Sequence, residues 1–262
     1  MAKRIDEVIV ERGLLESRTL AKALILEGKV LLNGEVVLKA SSPVKEDDEV
    51  EILGKKRFVS RGGEKLDFAL SFFDVDVKGK IALDAGASTG GFTDCLLKRG
   101  VSRVYAVDVG TGQLDYSLRG DSRIVLLEQV NARYLSKEII PEDIDIVVMD
   151  VSFISIIKII PSFKEIVKSD GKIVSLIKPQ FEGERRFTSK GIIRSAEFHK
   201  IILKSVVGKI SELGYTVTNA IYSPIRGGKG NIEFFFEIER EGSLVNLSLI
   251  DKIVDEAWEK TK

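Results

Sequence analysis

The chain is poor in the residues that most often announce a site. Its 262 residues include one cysteine, Cys95, one histidine, His199, one tryptophan, Trp258, and five prolines. One cysteine excludes a disulfide framework and any Cys-x-x-Cys metal site, so Cys95 is expected to fill a small apolar space. His199 has no ligand partners at metal spacing; it is expected to be structural, and no metal is expected. Nor is there an excess of charge, with 40 Lys+Arg against 40 Asp+Glu. The chain exerts no global pull on nucleic acid, and any such partner must be held by local patches. Long hydrophobic runs are missing too. The most apolar stretch, 144–163, is interrupted by Asp145, Asp150 and Lys158, which excludes a membrane span. Residues 1–7 lack the apolar core of a secretion signal. A reduced, cytoplasmic protein is expected, long enough for a large domain and a small one.

What is present centres on Asp84-Ala85-Gly86-Ala87-Ser88-Thr89-Gly90-Gly91-Phe92. An apolar run, Ile81-Ala82-Leu83, precedes it and a helix-like segment, Thr93 to Arg99, follows. A strand that stops at an acid, turns on glycines and opens a helix is the first βα unit of a nucleotide-binding sheet. The spacing is neither G-x-G-x-x-G nor a P-loop, since no Gly-Lys-Ser/Thr follows. That disfavours a dinucleotide and a triphosphate. It leaves a ligand without phosphates, such as S-adenosylmethionine, or a plain structural turn. From Lys80 onward strands and helices alternate, which predicts an α/β domain with a parallel sheet. Strands are expected at 80–84, 103–107, 124–127, 146–149, 172–177, 216–222 and 232–238, with a helix at 196–213. Asp108 ends the second strand, about twenty residues after the glycine loop, where an acid can hydrogen-bond ribose hydroxyls. Asp84, Gly86, Ser88, Thr89, Gly90, Gly91, Phe92 and Asp108 are the candidate cofactor residues.

Residues 1–58 read as a separate module. Ile5, Val8, Ile9 and Leu14 recur at helical spacing, and a second helix runs from Ser17, its N-cap, to Gly28. Two short strands joined by Asn33-Gly34 follow, the strongest short hairpin signal, then a strand at 50–53. This order, around GKVLLNGEVV, resembles the α-L motif of S4-like RNA-binding domains. The resemblance implies that Arg4, Arg12, Arg18, Lys22 and Lys29 face RNA phosphate; a merely solvated helix face is the alternative. Lys55 to Lys65 carry five basic residues and one acid. Lys55, Lys56, Arg57 and Arg61 in this strip suit a phosphate backbone, while a soluble connector is the bland alternative. Lys65 is then expected to start an amphipathic helix over 66–73.

Asp150 and Lys178 fall just after strands four and five, where ligands of open α/β sheets lie. A lysine there is costly as pure structure, because its ammonium needs a partner. Strands six and seven form a hairpin-like pair, and the whole resembles the seven-stranded sheet of S-adenosylmethionine-dependent methyltransferases. That likeness puts Asn131 where adenine is contacted.

Lys65, Asp150, Lys178 and Glu233, in the contexts SRGGEKL, VVMD, SLIKPQFE and GKGNIEFFF, resemble the Lys-Asp-Lys-Glu tetrad of FtsJ-type ribose 2′-O-methyltransferases. With an S4-like module ahead, the chain is similar to the TlyA family, haemolysin-like proteins and rRNA methyltransferases. The resemblance implies methyl transfer from S-adenosylmethionine to the 2′-hydroxyl of cytidine in 16S and/or 23S rRNA, on naked RNA or on ribosomal subunits. Lys178 would accept the hydroxyl's proton, Asp150 would hold Lys178, and Glu233 would position Lys65. The domains expected are an RNA-binding module over 1–58, a basic linker over 59–65 and a methyltransferase domain over 66–262.

Three rivals stand beside this reading. A base-amino methyltransferase would carry Asp/Asn-Pro-Pro-aromatic after strand four, but Asp150-Val151-Ser152-Phe153 has neither proline. A non-enzymatic RNA-binding protein would not need the Asp84 loop or Asp108. A membrane-active haemolysin would need a strongly amphipathic cationic or long apolar segment, and the sequence offers none.

Overall fold

The computed structural model describes residues 3–15, 17–54 and 57–260, and the chain divides into two units between Lys56 and Arg57. In the first unit β1 (Lys3–Arg4) leads into α1 (Ile5–Glu11) and α2 (Arg18–Leu26). The strands β2 (Val30–Leu32), β3 (Glu35–Val36), β4 (Pro43–Val44) and β5 (Val50–Ile52) follow. The Ser17 hydroxyl caps α2 by accepting from the Leu20 N–H, leaving one orphan donor fewer at the helix start. Asn33 and Gly34 both have positive φ, as the tight turn between β2 and β3 requires. Sheet β3-β2-β5 is antiparallel throughout. Ile5, Ile9, Ala21 and Ile25 from the helices pack with Val30, Val44 and Ile52 into a core of their own.

The second unit opens with α3 (Arg61–Phe72), then β6 (Ile81–Ala85), α4 (Gly91–Lys98), β7 (Arg103–Asp108), β8 (Ile124–Glu128) and β9 (Ile144–Met149). It continues with β10 (Val167–Ile177), α5 (Pro179–Glu182), α6 (Ala196–Glu212), β11 (Thr216–Tyr222), β12 (Phe234–Glu239) and α7 (Leu247–Lys260). The sheet order is β11-β12-β10-β9-β6-β7-β8. β12 runs antiparallel to both of its neighbours, β10 and β11, and β6 through β10 are parallel. Order reverses between β6 and β9, so a crevice opens at the carboxyl ends of those two strands.

Both sheet faces are covered. The run Phe234-Phe235-Phe236 shows how: successive side chains point to opposite faces. Phe234 and Phe236 enter the layer beneath α6 and α7, and Phe235 enters the layer beneath α3 and α4. Cys95 is buried in the latter, and burial pushes its thiol up to about 12. His199 is fully buried. Its Nδ1 lies 3.0 Å from the Ser195 carbonyl oxygen, and its ring meets Trp258 edge-on at 5.8 Å, joining α6 to α7.

Two boundaries differ from the sequence reading by more than two residues. α3 begins at Arg61, so Arg61 to Lys65 are helix and not linker. The Ser60 hydroxyl accepts from the Gly62 N–H and caps it. Gly62-Gly63 looks like a flexible joint but serves close packing. A Cβ on Gly63 would stand 2.3 Å from the Phe58 ring and 2.9 Å from the Gly91 carbonyl. β10 begins at Val167 instead of Lys172, with a register irregularity between the two.

Candidate active site

Four loops leave the carboxyl ends of the strands and converge. The first follows β6. Gly86 and Ala87 donate their N–H groups to the Val107 carbonyl, which bends the loop back over β7. Gly86 has φ +90°, and a Cβ there would lie 2.7 Å from the Asp150 carbonyl oxygen. Only glycine fits both demands. The loop ends at α4, whose first turn contains Thr93.

Asp108 sits at the tip of β7. Its Oδ2 accepts from the Ser88 N–H and its Oδ1 from the Gly110 N–H, each at 2.8 Å. The carboxylate is thereby locked against the glycine loop with lone pairs to spare. It faces a cavity of about 470 Å³ whose walls include Val109, Gln113, Val130, Asn131, Ile154 and Ile159. Asn131 uses its Oδ1 to accept from the Arg133 N–H. Ser88 Oγ donates to Gln113 Oε1 at 3.2 Å.

A second cavity, of about 290 Å³, shares Gly86, Ser88, Asp150 and Ser152 with the first and adds Arg61, Lys65, Thr89, Gly91, Phe92 and Lys178. Three of the four predicted catalytic side chains line it, and the four form two ion pairs. Lys65, on the second turn of α3, reaches Glu233 Oε2 at 2.6 Å, and the two residues are 8% and 3% exposed. Lys178, where β10 ends, reaches Asp150 Oδ1 at 2.5 Å and donates to Ser152 Oγ at 2.9 Å. Glu233 and Lys178 also line a third cavity, of about 370 Å³, beside Phe153, Phe181 and the 227–229 turn. Ser152 borders all three.

Not every sequence candidate faces these spaces. Asp84 is fully buried and accepts from the Thr93 hydroxyl at 2.7 Å. Neither it nor Gly90 lines a wall of the two cavities that meet at the glycine loop. β6 ends one residue later than expected, leaving Asp84 inside the strand. Burial raises its carboxyl to about 7, with nearby Asp150 and Asp108 adding to the effect. The Phe92 ring mostly serves the core, 6.2 Å from the Phe235 ring. Ser152, Gln113 and Phe153 were not singled out in the sequence. Phe153 carries φ +64°, a strained backbone that no sequence signal announces.

The basic candidates of the first unit already have partners. Arg4 and Arg18 each reach the buried Asp6 at 2.9 Å, and Lys22 lies 3.9 Å from it. Burial pushes the Asp6 carboxyl up, but hydrogen bonds from Arg4 and Arg18 outweigh that and hold it below the usual aspartate range. Arg12 donates to the carbonyls of Lys45, Glu46 and Asp48, and Lys29 pairs with Glu27. Arg4, Arg18, Lys22 and Lys29 keep about half of their side-chain surface in solvent. Arg57 pairs with Asp67 and lies over the Phe58 ring. Lys55 and Lys56 lie outside the described residues. Among the described residues no helix is long and apolar enough to cross a membrane.

Comparison with known proteins agrees with this architecture. Residues 58–240 match the FtsJ-like methyltransferase family and residues 3–50 the S4 domain. "Hemolysin A" of Brachyspira hyodysenteriae is 47% identical over 88% of this chain and 97% of its own length. The "16S/23S rRNA (cytidine-2'-O)-methyltransferase TlyA" of Mycobacterium tuberculosis is 41% identical over 88% of each chain. A solved structure from Streptococcus thermophilus superimposes with TM-score 0.76 at 38% identity, covering 99% of this chain and 96% of its own. The chain therefore belongs to the TlyA family of FtsJ-like methyltransferases, with an S4 domain ahead of the methyltransferase domain.

Proposed function

We propose that the protein transfers a methyl group from S-adenosylmethionine to the ribose 2′-hydroxyl of cytidine in rRNA. One observation carries this reading: Lys65, held by Glu233, and the ion-paired Asp150 and Lys178 line one small cavity that shares the Asp150 wall with the larger cleft.

The larger cleft suits an adenosine. Val109, Val130, Ile154 and Ile159 offer apolar walls to a flat ring. Asp108 has free lone pairs for a ribose diol, and Asn131 offers an amide for the base edge. The glycine loop from Gly86 to Thr89 would hold the methionine portion through its backbone. When bound, S-adenosylmethionine supplies an electrophilic methyl on a sulfonium.

The chain's own residues then manage one proton and one alignment. A ribose hydroxyl is a poor nucleophile, so its proton must be removed or shared as it attacks. Lys178 is the side chain placed to accept or share that proton. The ammonium that results is the species that Asp150 and Ser152 are placed to hold. Glu233 fixes Lys65 beside them, so that a hydroxyl entering from the third cavity meets a pre-set array. The S4 domain would supply Arg4, Arg12, Arg18, Lys22 and Lys29 to RNA phosphates.

The test uses the full chain, S-adenosylmethionine labelled in its methyl group, and rRNA or subunits from cells that lack the modification. The wild type should label RNA. Lys178→Ala should not, while its affinity for S-adenosylmethionine stays within about threefold, since Lys178 carries the proton and not the cofactor. Label transferred by Lys178→Ala at the wild-type rate would remove Lys178 from the reaction.

A further inference from the structure

The loop after β9 and the segment after β10 lie side by side and touch at successive positions. Asp150 and Ser152 both reach Lys178. Phe153 packs on Phe181 with ring centroids 5.0 Å apart. Ser155 Oγ donates to Glu182 Oε2 at 2.6 Å, and the Ile156 N–H donates to Glu182 Oε1 at 2.9 Å. Residues 150–156 and 178–182 thus form a ladder, with the reactive end at Lys178 and the far end at Glu182.

From this ladder we infer that Glu182 is a positioning residue of the transfer site: its carboxylate clamps the 150–156 loop so that Asp150 and Ser152 meet Lys178. The inference rests on the methyl-transfer reading and adds a residue that touches neither the reacting atoms nor the cofactor cleft.

Three features support it. First, α5 (Pro179–Glu182) is a single turn that starts directly after Lys178, so Lys178 and Glu182 move as one strut. Second, the short helix at 156–158 is already capped by its own Ser155, whose hydroxyl accepts from the Ile157 N–H. The clamp is therefore not needed to start that helix; it ties the helix to the strut. Third, Phe153 sits mid-ladder at φ +64° with its side chain 90% exposed. A bulky residue holds such a backbone only where its surroundings over-determine it, and the rungs on either side do so. Burial pushes the Glu182 carboxyl above the usual glutamate range. Both oxygens are nonetheless engaged by the loop.

The test compares Glu182→Ala with Glu182→Gln in the full chain. The glutamine amide can keep both contacts, its oxygen accepting from Ile156 and its NH2 donating to Ser155; alanine keeps neither. Glu182→Ala should lower kcat by about tenfold or more, in line with the penalty for sub-ångström misplacement. Its KM for RNA and its S-adenosylmethionine affinity should stay within about twofold. Glu182→Gln should recover kcat to within about threefold of the wild type. Should the alanine variant fail to fold, Ser155→Ala removes one of the two contacts and should lower kcat with cofactor affinity unchanged. Wild-type kcat in Glu182→Ala would overturn the inference. So would a glutamine variant as impaired as alanine, or a kcat loss that only tracks loss of thermal stability and cofactor binding. A wild-type protein that labels no RNA would overturn the methyl-transfer reading itself, and this inference with it.

Discussion

Lys65 and Glu233, 168 residues apart in sequence, close a 2.6 Å ion pair that solvent barely reaches. The pair ties the first helix of the methyltransferase domain to the segment that enters its antiparallel strand. A buried charge left without its partner is strongly destabilising, by about 3–5 kcal/mol. Lys65→Ala should therefore lose stability on that scale in chemical denaturation. The double variant Lys65→Met/Glu233→Leu should regain most of it and still be inactive. Activity in the double variant would show that the pair serves the fold alone.

Asp108 is braced by two backbone N–H groups yet keeps lone pairs toward the cleft. Hydrogen bonds to charged groups contribute about 1.5–3 kcal/mol. Asp108→Ala should then weaken S-adenosylmethionine binding by roughly ten- to a hundredfold, measured by titration calorimetry. Unchanged affinity would place the ribose contact on another residue.

Asp84 gives the domain a pH signature. Its carboxyl is raised from 3.8 to about 7, chiefly by burial. Between those values the folded state keeps a proton that the unfolded state has released, so stability falls as pH rises across that window and levels off above about 7. The full effect is roughly 4 kcal/mol. Comparing denaturation at pH 5 and pH 8, the wild type should lose more stability than Asp84→Asn. Equal losses in the two proteins would mean that Asp84 is ionised throughout.

Sequence periodicity made most of this fold legible, for reasons visible in particular residues. The alternation of Phe234, Phe235 and Phe236 between two layers follows from the pleat of a strand covered on both faces. Asp108 and Asp150 were readable because an acid that ends an apolar run in this sheet type lies at its open edge. The start of α3 was not, because Gly62-Gly63 suggests flexibility until Phe58 and the Gly91 carbonyl are seen against it. Ser152 and Glu182 were equally silent. Their roles depend on two loops lying side by side, which no spacing within either loop encodes. The burial of Asp84 was not readable, because the apolar run ends before it while β6 continues one residue past it.

The central claim is that the methyl group lands on a ribose oxygen of cytidine. Its most direct test is nuclease digestion of the rRNA methylated by the wild-type protein, followed by mass spectrometry of the nucleosides. The Asp150–Lys178 and Lys65–Glu233 arrangement predicts the label on a ribose 2′-oxygen, and the proposed function predicts that the nucleoside is 2′-O-methylcytidine. A methyl group on a base nitrogen or carbon, with the ribose unmodified, would contradict the account.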